Sequence, residues 1–157
     1  MFGSRIAPAD ICVMTRTRGL GTEVAQALTD GGLDVLVLGP DTSDDPKRPG
    51  VRVATMHRAK GLEFQAVALV RVEEGTIPVP SPVAADGGDH DHLQQERCLL
   101  YVAGSRARER LSVTWTGKPS PLLPRPTAVA VLESGRSPWP NTTRSATSSA
   151  DGQPRSP

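Results

Sequence analysis

Short apolar runs alternate with segments of helical periodicity between residues 11 and 116, and this alternation restricts the fold class. The runs predict strands at 11–16, 34–39, 51–55, 65–72 and 111–116. The intervening patterns predict helices at 21–32, capped by Thr22 and ended by Gly31 and Gly32, and at 92–110. Strands that are apolar on both faces and separated by helices are typical of a parallel α/β sheet. The loops at one edge of such a sheet bind ligands.

The composition changes near Lys118, after which proline and serine are frequent and large apolar residues are few, and residues 141–157 have no hydrophobic period. A segment of this kind cannot bury enough apolar surface to offset its chain entropy. We therefore expect one α/β domain over residues 8–117 and a disordered Pro/Ser/Thr-rich tail over 118–157. The alternative for part of the tail is a short docking strand at 129–134.

The chain is nearly neutral, with 18 lysines and arginines, 17 aspartates and glutamates and a formal net charge of +1. Nucleic acid would therefore be bound through a local groove and not through bulk charge. No apolar run approaches the length of a membrane span, and no apolar leader is visible. Cys12 and Cys98 lack the spacing of metal ligands. These features predict a reduced, cytoplasmic chain with no membrane contact.

The segment TMHRAKGLEF, residues 55–64, concentrates polar and charged groups between two predicted strands. Thr55 and His57 can reach phosphates or bases, and Gly61 allows another group to approach the backbone closely. Glu63 can accept hydrogen bonds from ribose hydroxyls. The alternative is a charged surface turn with a capping residue, and the residues alone favour it because such turns are common.

Three arginines, Arg106, Arg108 and Arg110, lie near the end of the second predicted helix. One interpretation is that they complement the negative end of the helix dipole. The other is that one of them binds an anionic ligand, because the planar guanidinium matches phosphate oxygens. Arg106 is the candidate, since it lies between the small residues Ser105 and Ala107.

Taken in order, TMHRAKGLEF, EGTIP at 74–78 and ERCLLYVAGSRARERL at 96–111 closely resemble motifs of the UvrD/Rep-type DNA helicases of superfamily 1. In that family the motifs read roughly TxHxxKGLEF, EGxxP and ERRLxYVAxTRAxxxL. The segment that begins at Ile11 is similar, more loosely, to the start of the second RecA-like domain. The likeness covers about residues 10–116.

The resemblance implies a RecA-like α/β domain that forms one wall of an ATP site. On this basis Glu63 binds the ribose, Gly61 lies against the nucleotide, and Arg106 is the arginine finger on the γ-phosphate. Thr55 and His57 contact single-stranded DNA. Lys60 ties the motif either to the phosphates or to the DNA.

The sequence also departs from the family. Cys98 stands where a second arginine is usual, and Ser105 replaces a threonine. The pattern G-x-x-x-x-G-K-[ST] is absent, so ATP with Mg²⁺ is expected only where a P-loop-bearing helicase domain or subunit completes the site. Gly19 and Gly21 lack the context of a dinucleotide fingerprint and are interpreted as a loop that enters a helix.

A metal site is the weaker interpretation of His90, His92 and the aspartates 86, 89 and 91, because alternating residues in a Gly-rich loop are more often solvated. The stretch between Gly39 and Val51 is too short for the accessory insertion that such helicases often carry. Two other functions remain open. The chain is either a non-catalytic DNA- or partner-binding module that retains the fold, or a truncated remnant.

Overall fold

The computed structural model describes residues 5–81 and 89–124. These residues form a parallel five-stranded sheet flanked by helices. The strand order is β2-β3-β1-β4-β5, and every neighbouring pair is parallel. The elements are a 3-10 turn Pro8–Asp10, β1 Ile11–Thr15, α1 Arg18–Asp30, β2 Val35–Leu38, β3 Val51–Thr55, a second 3-10 turn Met56–Ala59 (the crossover turn), β4 Phe64–Leu69, α2 Asp89–Gly104 and β5 Ala107–Val113. The predicted α/β class is confirmed.

The two helices pack on separate apolar clusters. Val24 and Leu28 of α1 pack against Val13 and Val53 of the sheet. Leu100 and Ala103 of α2 belong to a larger cluster, which also contains Met14, Leu69 and Met56 of the crossover turn. Because Val13 and Met14 are neighbours in one strand and point to opposite faces, α1 and α2 lie on opposite sides of the sheet.

Helix α1 begins earlier than its sequence pattern predicts. Thr17 has extended backbone and its hydroxyl accepts a hydrogen bond from the Leu20 N–H, so Thr17 is the cap and Arg18 the first helical residue. Thr22 lies inside the helix and donates its hydroxyl to the Arg18 carbonyl at 3.1 Å. The prediction of Thr22 as the cap is therefore wrong, whereas the end of the helix at Gly31 is confirmed.

Helix α2 ends at Gly104, and the prediction that it continues to residue 110 is wrong. The Ser105 hydroxyl and the Arg106 amide donate to the carbonyls of Val102 and Ala103, which closes the last turn. From Ala107 the chain pairs with β4, so Arg108 and Arg110 lie on exposed positions of an edge strand. They do not lie at a helix end, and the helix-dipole interpretation of these two arginines does not apply.

The segment 55–64 crosses the sheet from one edge to the other. Strands β3 and β4 flank β1 and run parallel to it, so β3 ends with Thr55 at the carboxyl edge and β4 starts with Phe64 at the amino edge. Met56 and Ala59 of the crossover turn are buried in the same cluster as α2. The segment therefore runs along the α2 face and presents its first and last residues at opposite edges.

The described chain continues past Lys118, where the tail is predicted to begin. Ser120 is buried and donates its N–H to the Val72 carbonyl at 3.0 Å, and Leu122 and Leu123 pack against the larger cluster. The rest of the predicted tail, including 129–134, lies outside the described residues. Among the helices that the structure describes, none has the length and apolar character to cross a membrane.

Candidate functional site

Two clefts border the crossover turn. The first, which we call the carboxyl-edge cleft, has a volume of about 510 Å³ and lies where β2, β3 and the start of α1 meet. Thr55, His57 and Arg58 line it together with Arg18 and Gly39. The second, the α2 cleft, has a volume of about 740 Å³ and lies between the crossover turn and α2.

The α2 cleft contains several of the predicted site residues. His57, Lys60 and Arg106 line it, together with Arg16 and Glu96. His57 also lines the carboxyl-edge cleft, so this exposed imidazole lies between the two. The structure therefore brings Thr55 and His57 to one cleft and His57, Lys60 and Arg106 to the other.

Gly61 and Glu63 line neither cleft as the structure describes them and lie near the amino edge of the sheet. Glu63 is exposed, with no hydrogen bond or ion pair to any other described residue. Gly61 has a φ of 81° and open space around it, so the left-handed turn and not crowding explains the glycine. The Phe64 N–H donates to the Arg106 carbonyl at 3.0 Å, which places the residue after Glu63 directly against Arg106.

The Arg106 side chain folds back on the last turn of α2. Its Nε donates to the Val102 carbonyl at 3.2 Å and its Nη2 donates to Ser105 Oγ at 3.1 Å. The side chain is only half-buried, and among the described residues no carboxylate pairs with it. Its charge is therefore not neutralised by a neighbouring residue.

An ion pair that sequence reasoning missed joins Arg16, which follows β1, to Glu96 of α2 across the cleft. Arg16 donates from Nε to Glu96 Oε2 at 2.9 Å and from Nη2 to Oε1 at 2.6 Å. Burial raises the pKa of Glu96, but the hydrogen bonds from Arg16 and from the Val79 N–H, together with the Arg16 charge, outweigh burial and hold it below its ordinary value. Glu96 begins a recognised motif, but nothing in the sequence pairs it with a residue 80 positions away.

The same carboxylate fastens the loop that precedes α2. The Val79 N–H donates to Glu96 Oε2 at 3.3 Å, and the Val79 carbonyl accepts from His92 Nε2 at 2.7 Å. Because Glu96 neutralises Arg16, the remaining charge of the cleft is that of Lys60 and Arg106. An anion is the ligand that this balance favours.

The residues considered as metal ligands take other roles. His92 binds the Val79 carbonyl, His90 is exposed, and Asp86 lies outside the described residues. Within 5–81 and 89–124, histidine, cysteine, aspartate and glutamate form no group of three that could hold a metal ion. Cys98 is exposed in the α2 cleft, whereas Cys12 is buried, and burial with the nearby Asp44 carboxylate raises its pKa well above the ordinary value.

Comparison with known proteins supports the resemblance seen in the motifs. The sequence model of the UvrD-like helicase C-terminal domain matches residues 33–118. The ATP-dependent DNA helicase UvrD2 of Mycobacterium tuberculosis is 43% identical over 76 residues, which are 48% of this chain and 11% of that protein. DNA helicase II of Escherichia coli is 41% identical over 71 residues, which are 45% of this chain and 9% of that protein.

The chain thus spans about a tenth of the length of these curated relatives. A solved structure, the C-terminal domain of a possible DNA helicase from Lactobacillus plantarum WCFS1, superposes with a TM-score of 0.51 at 24% identity and covers 72% of this chain and 60% of its own. That likeness concerns the fold alone. The family match extends over more than half of the chain and includes both motifs, so the chain belongs to the family of UvrD-like helicase C-terminal domains.

Proposed function

We propose that this chain is the second RecA-like domain of an ATP-dependent DNA helicase and supplies an arginine finger and single-strand contacts for ATP-driven translocation and unwinding. The observation that carries the proposal is the course of segment 55–64. It connects Thr55 at the carboxyl edge with Glu63 at the amino edge, beside Arg106. One segment thus joins the two groups of residues that the motifs assign to different ligands.

The amino-edge group has the chemistry of a nucleotide site. Arg106 is the arginine finger, Glu63 accepts hydrogen bonds from the ribose, and Gly61 lies against the nucleotide. Lys60 adds a second cation to the α2 cleft, where it contacts either the DNA or the phosphates of the nucleotide. A P-loop-bearing helicase domain or subunit must cradle the β- and γ-phosphates and their Mg²⁺, because this sequence has no P-loop.

The carboxyl-edge group has the chemistry of a single-strand site. Thr55 offers a hydroxyl and His57 an exposed imidazole, while Val37, Leu38 and Pro40 give the cleft an apolar wall for bases. His57 borders both clefts, so a change at the nucleotide reaches the strand through one short turn. A cytoplasmic location fits a domain of this family that acts on DNA.

The test is ATPase activity after mixing the chain with a separately purified P-loop domain of a UvrD-type helicase and single-stranded DNA. We expect no turnover by the chain alone. In the mixture, Arg106→Ala should slow turnover by roughly 10³–10⁵-fold, which is about 4–7 kcal/mol in the transition state. Arg106→Lys should not restore the rate, because lysine lacks the planar fork.

Arg108→Ala and Arg110→Ala are the matched controls, since both arginines are exposed on β5 and line neither described cleft. Each should change the rate less than about twofold, as expected for a surface charge. Equal and small effects at all three positions would show that the motif is structural. The missing P-loop would then favour the alternative of a non-catalytic binding module.

A further inference from the structure

Gly39 and Pro40 line one side of the carboxyl-edge cleft, and they begin the segment 39–50, which we call the wall loop and which follows β2. Arg52 of β3 is fully buried beneath it. Its guanidinium donates to Asp44 Oδ1 at 3.0 Å and to the carbonyls of residues 45, 48 and 50 at 2.7–2.9 Å. The far end of the wall loop is thereby fixed to the sheet.

The near end of the wall loop is held by Arg58 of the crossover turn. Arg58 donates from Nε to the Gly39 carbonyl at 3.1 Å and from Nη2 to the Thr42 carbonyl at 3.0 Å. Gly39 and Arg58 both line the cleft, and His57 precedes Arg58 in the same turn. The distance between the wall loop and His57 therefore depends on the two hydrogen bonds that the Arg58 guanidinium donates to the wall loop.

The shape of the cleft determines which form of DNA can enter it. At about 510 Å³ it is a concave site with an apolar wall and cations at its rim, including Arg18. Duplex DNA is bound by elements that project into its grooves, whereas single strands lie in concave grooves where their bases meet protein surface. A wall that is fixed in place keeps the shape of the cleft constant.

We propose that Arg58 is a positioning residue that fixes the width of the carboxyl-edge cleft and so makes it selective for single-stranded over duplex DNA. The inference rests on the proposed single-strand site. Arg58 acts through the wall loop, because the two donors described above are committed to backbone carbonyls. A contact with phosphates by its charge alone would have a different signature, because the higher charge density of the duplex makes its binding depend on such a cation at least as strongly as binding of the single strand.

The experiment measures the dissociation constants of the full chain for a fluorescein-labelled dT oligonucleotide and for a blunt duplex at one fixed salt concentration. The selectivity ratio is the dissociation constant for the duplex divided by that for the oligonucleotide. Arg58→Ala should lower this ratio roughly fivefold or more, because two hydrogen bonds to the wall loop are lost. Arg58→Lys keeps the charge but cannot span both carbonyls, so it should lower the ratio as well. Hydrogen exchange of the amides in 39–50 should become faster in both variants.

Arg48→Ala is the control, because Arg48 is an exposed cation of the same loop whose side chain makes no hydrogen bond or ion pair with another described residue. It should raise both dissociation constants, that for the duplex at least as much as that for the single strand, and so should not lower the selectivity ratio. The proposal is overturned if Arg58→Ala does the same, or if Arg58→Lys keeps the wild-type ratio. Failure of the wild-type chain to bind the oligonucleotide would instead refute the single-strand site, and this inference with it.

Discussion

The wall loop and the segment 77–79, which we call the strap, are held in chemically different ways. Arg52 and Arg58 donate mainly to backbone carbonyls of the wall loop, and Arg52 donates also to the Asp44 carboxylate. The strap is held at Val79 by the Glu96 carboxylate and the His92 imidazole. The wall loop is thus held mostly through neutral carbonyl acceptors, whereas the strap is held through the Glu96 carboxylate, which lines the α2 cleft.

The largest expected effect is at Arg52. Arg52→Met keeps much of the side-chain volume but leaves the Asp44 carboxylate and three carbonyls without their donor. Because this removes one partner of a buried ion pair, we expect a loss of about 3–5 kcal/mol in the free energy of unfolding, measured by urea denaturation. A loss below about 1 kcal/mol would mean that the wall loop does not depend on Arg52.

Weakening the anchor of the strap should lower the free energy of unfolding less than the loss of Arg52. Glu96→Gln weakens the pair with Arg16, whose side chain is 15% exposed, and should lower the free energy of unfolding by about 2–3 kcal/mol. The double variant Arg16→Met/Glu96→Leu should recover part of this loss, because it leaves no unpaired charge behind. The single variants Arg16→Met and Glu96→Leu complete a double-mutant cycle. If their losses in the free energy of unfolding sum to the loss of the double variant, the two side chains do not interact.

The wall loop and the strap can also be compared through one glycine at each, Gly50 and Gly75. Gly50 ends the wall loop with a φ of 106°, and a Cβ there would lie 2.8 Å from the Asp34 carbonyl oxygen. Gly75, just before the strap, has a φ of 83° but open space around it. In thermal unfolding, Gly75→Ala should cost about 1–2 kcal/mol for its conformation alone, and Gly50→Ala roughly 1 kcal/mol or more beyond that for the clash. Equal losses would show that the contact at Gly50 relaxes freely.

The smallest expected effect is the loss of stability at acidic pH that Glu96 causes. The pKa of Glu96 is lower in the folded chain than its ordinary value. The pair with Arg16 therefore stabilises the fold fully at pH values above the ordinary pKa of glutamate. This contribution is lost as the pH falls through the folded pKa. Urea midpoints between about pH 7 and about pH 3 should therefore fall more steeply for the wild type than for Glu96→Gln. Parallel curves would contradict the role of Glu96 as the titrating anchor of the strap.

The strands were predictable because their signal is local. Val51–Thr55 coincides with the apolar run from which β3 is predicted, and the boundaries of the other central strands shift by only a few residues. The end of α2 was not predictable from its apolar spacing. Residues 107–110 continue a helical pattern, but pairing with β4 decides their conformation, and that pairing depends on residues far away in sequence.

The candidate site shows the same division. The motifs identify Thr55, His57 and Arg106, which line the two clefts. The anchors of the clefts escape sequence analysis for two reasons. Arg16 and Glu96 are 80 residues apart, and Arg52 lies within an apolar run where a cation carries no positional signal. Only the packed structure shows which carbonyls and carboxylates these arginines meet.

The contrast between the two cysteines makes the natural sequence suitable for site-specific labelling. Cys98 is exposed in the α2 cleft, whereas Cys12 is fully buried in β1. A maleimide dye should react at Cys98 and leave Cys12 untouched, since the thiolate is the reactive form and a buried thiol is inert. The wild-type chain therefore accepts a single fluorophore beside Lys60 and Arg106 without mutagenesis. The later modification of Cys12 would measure how often the sheet opens to solvent.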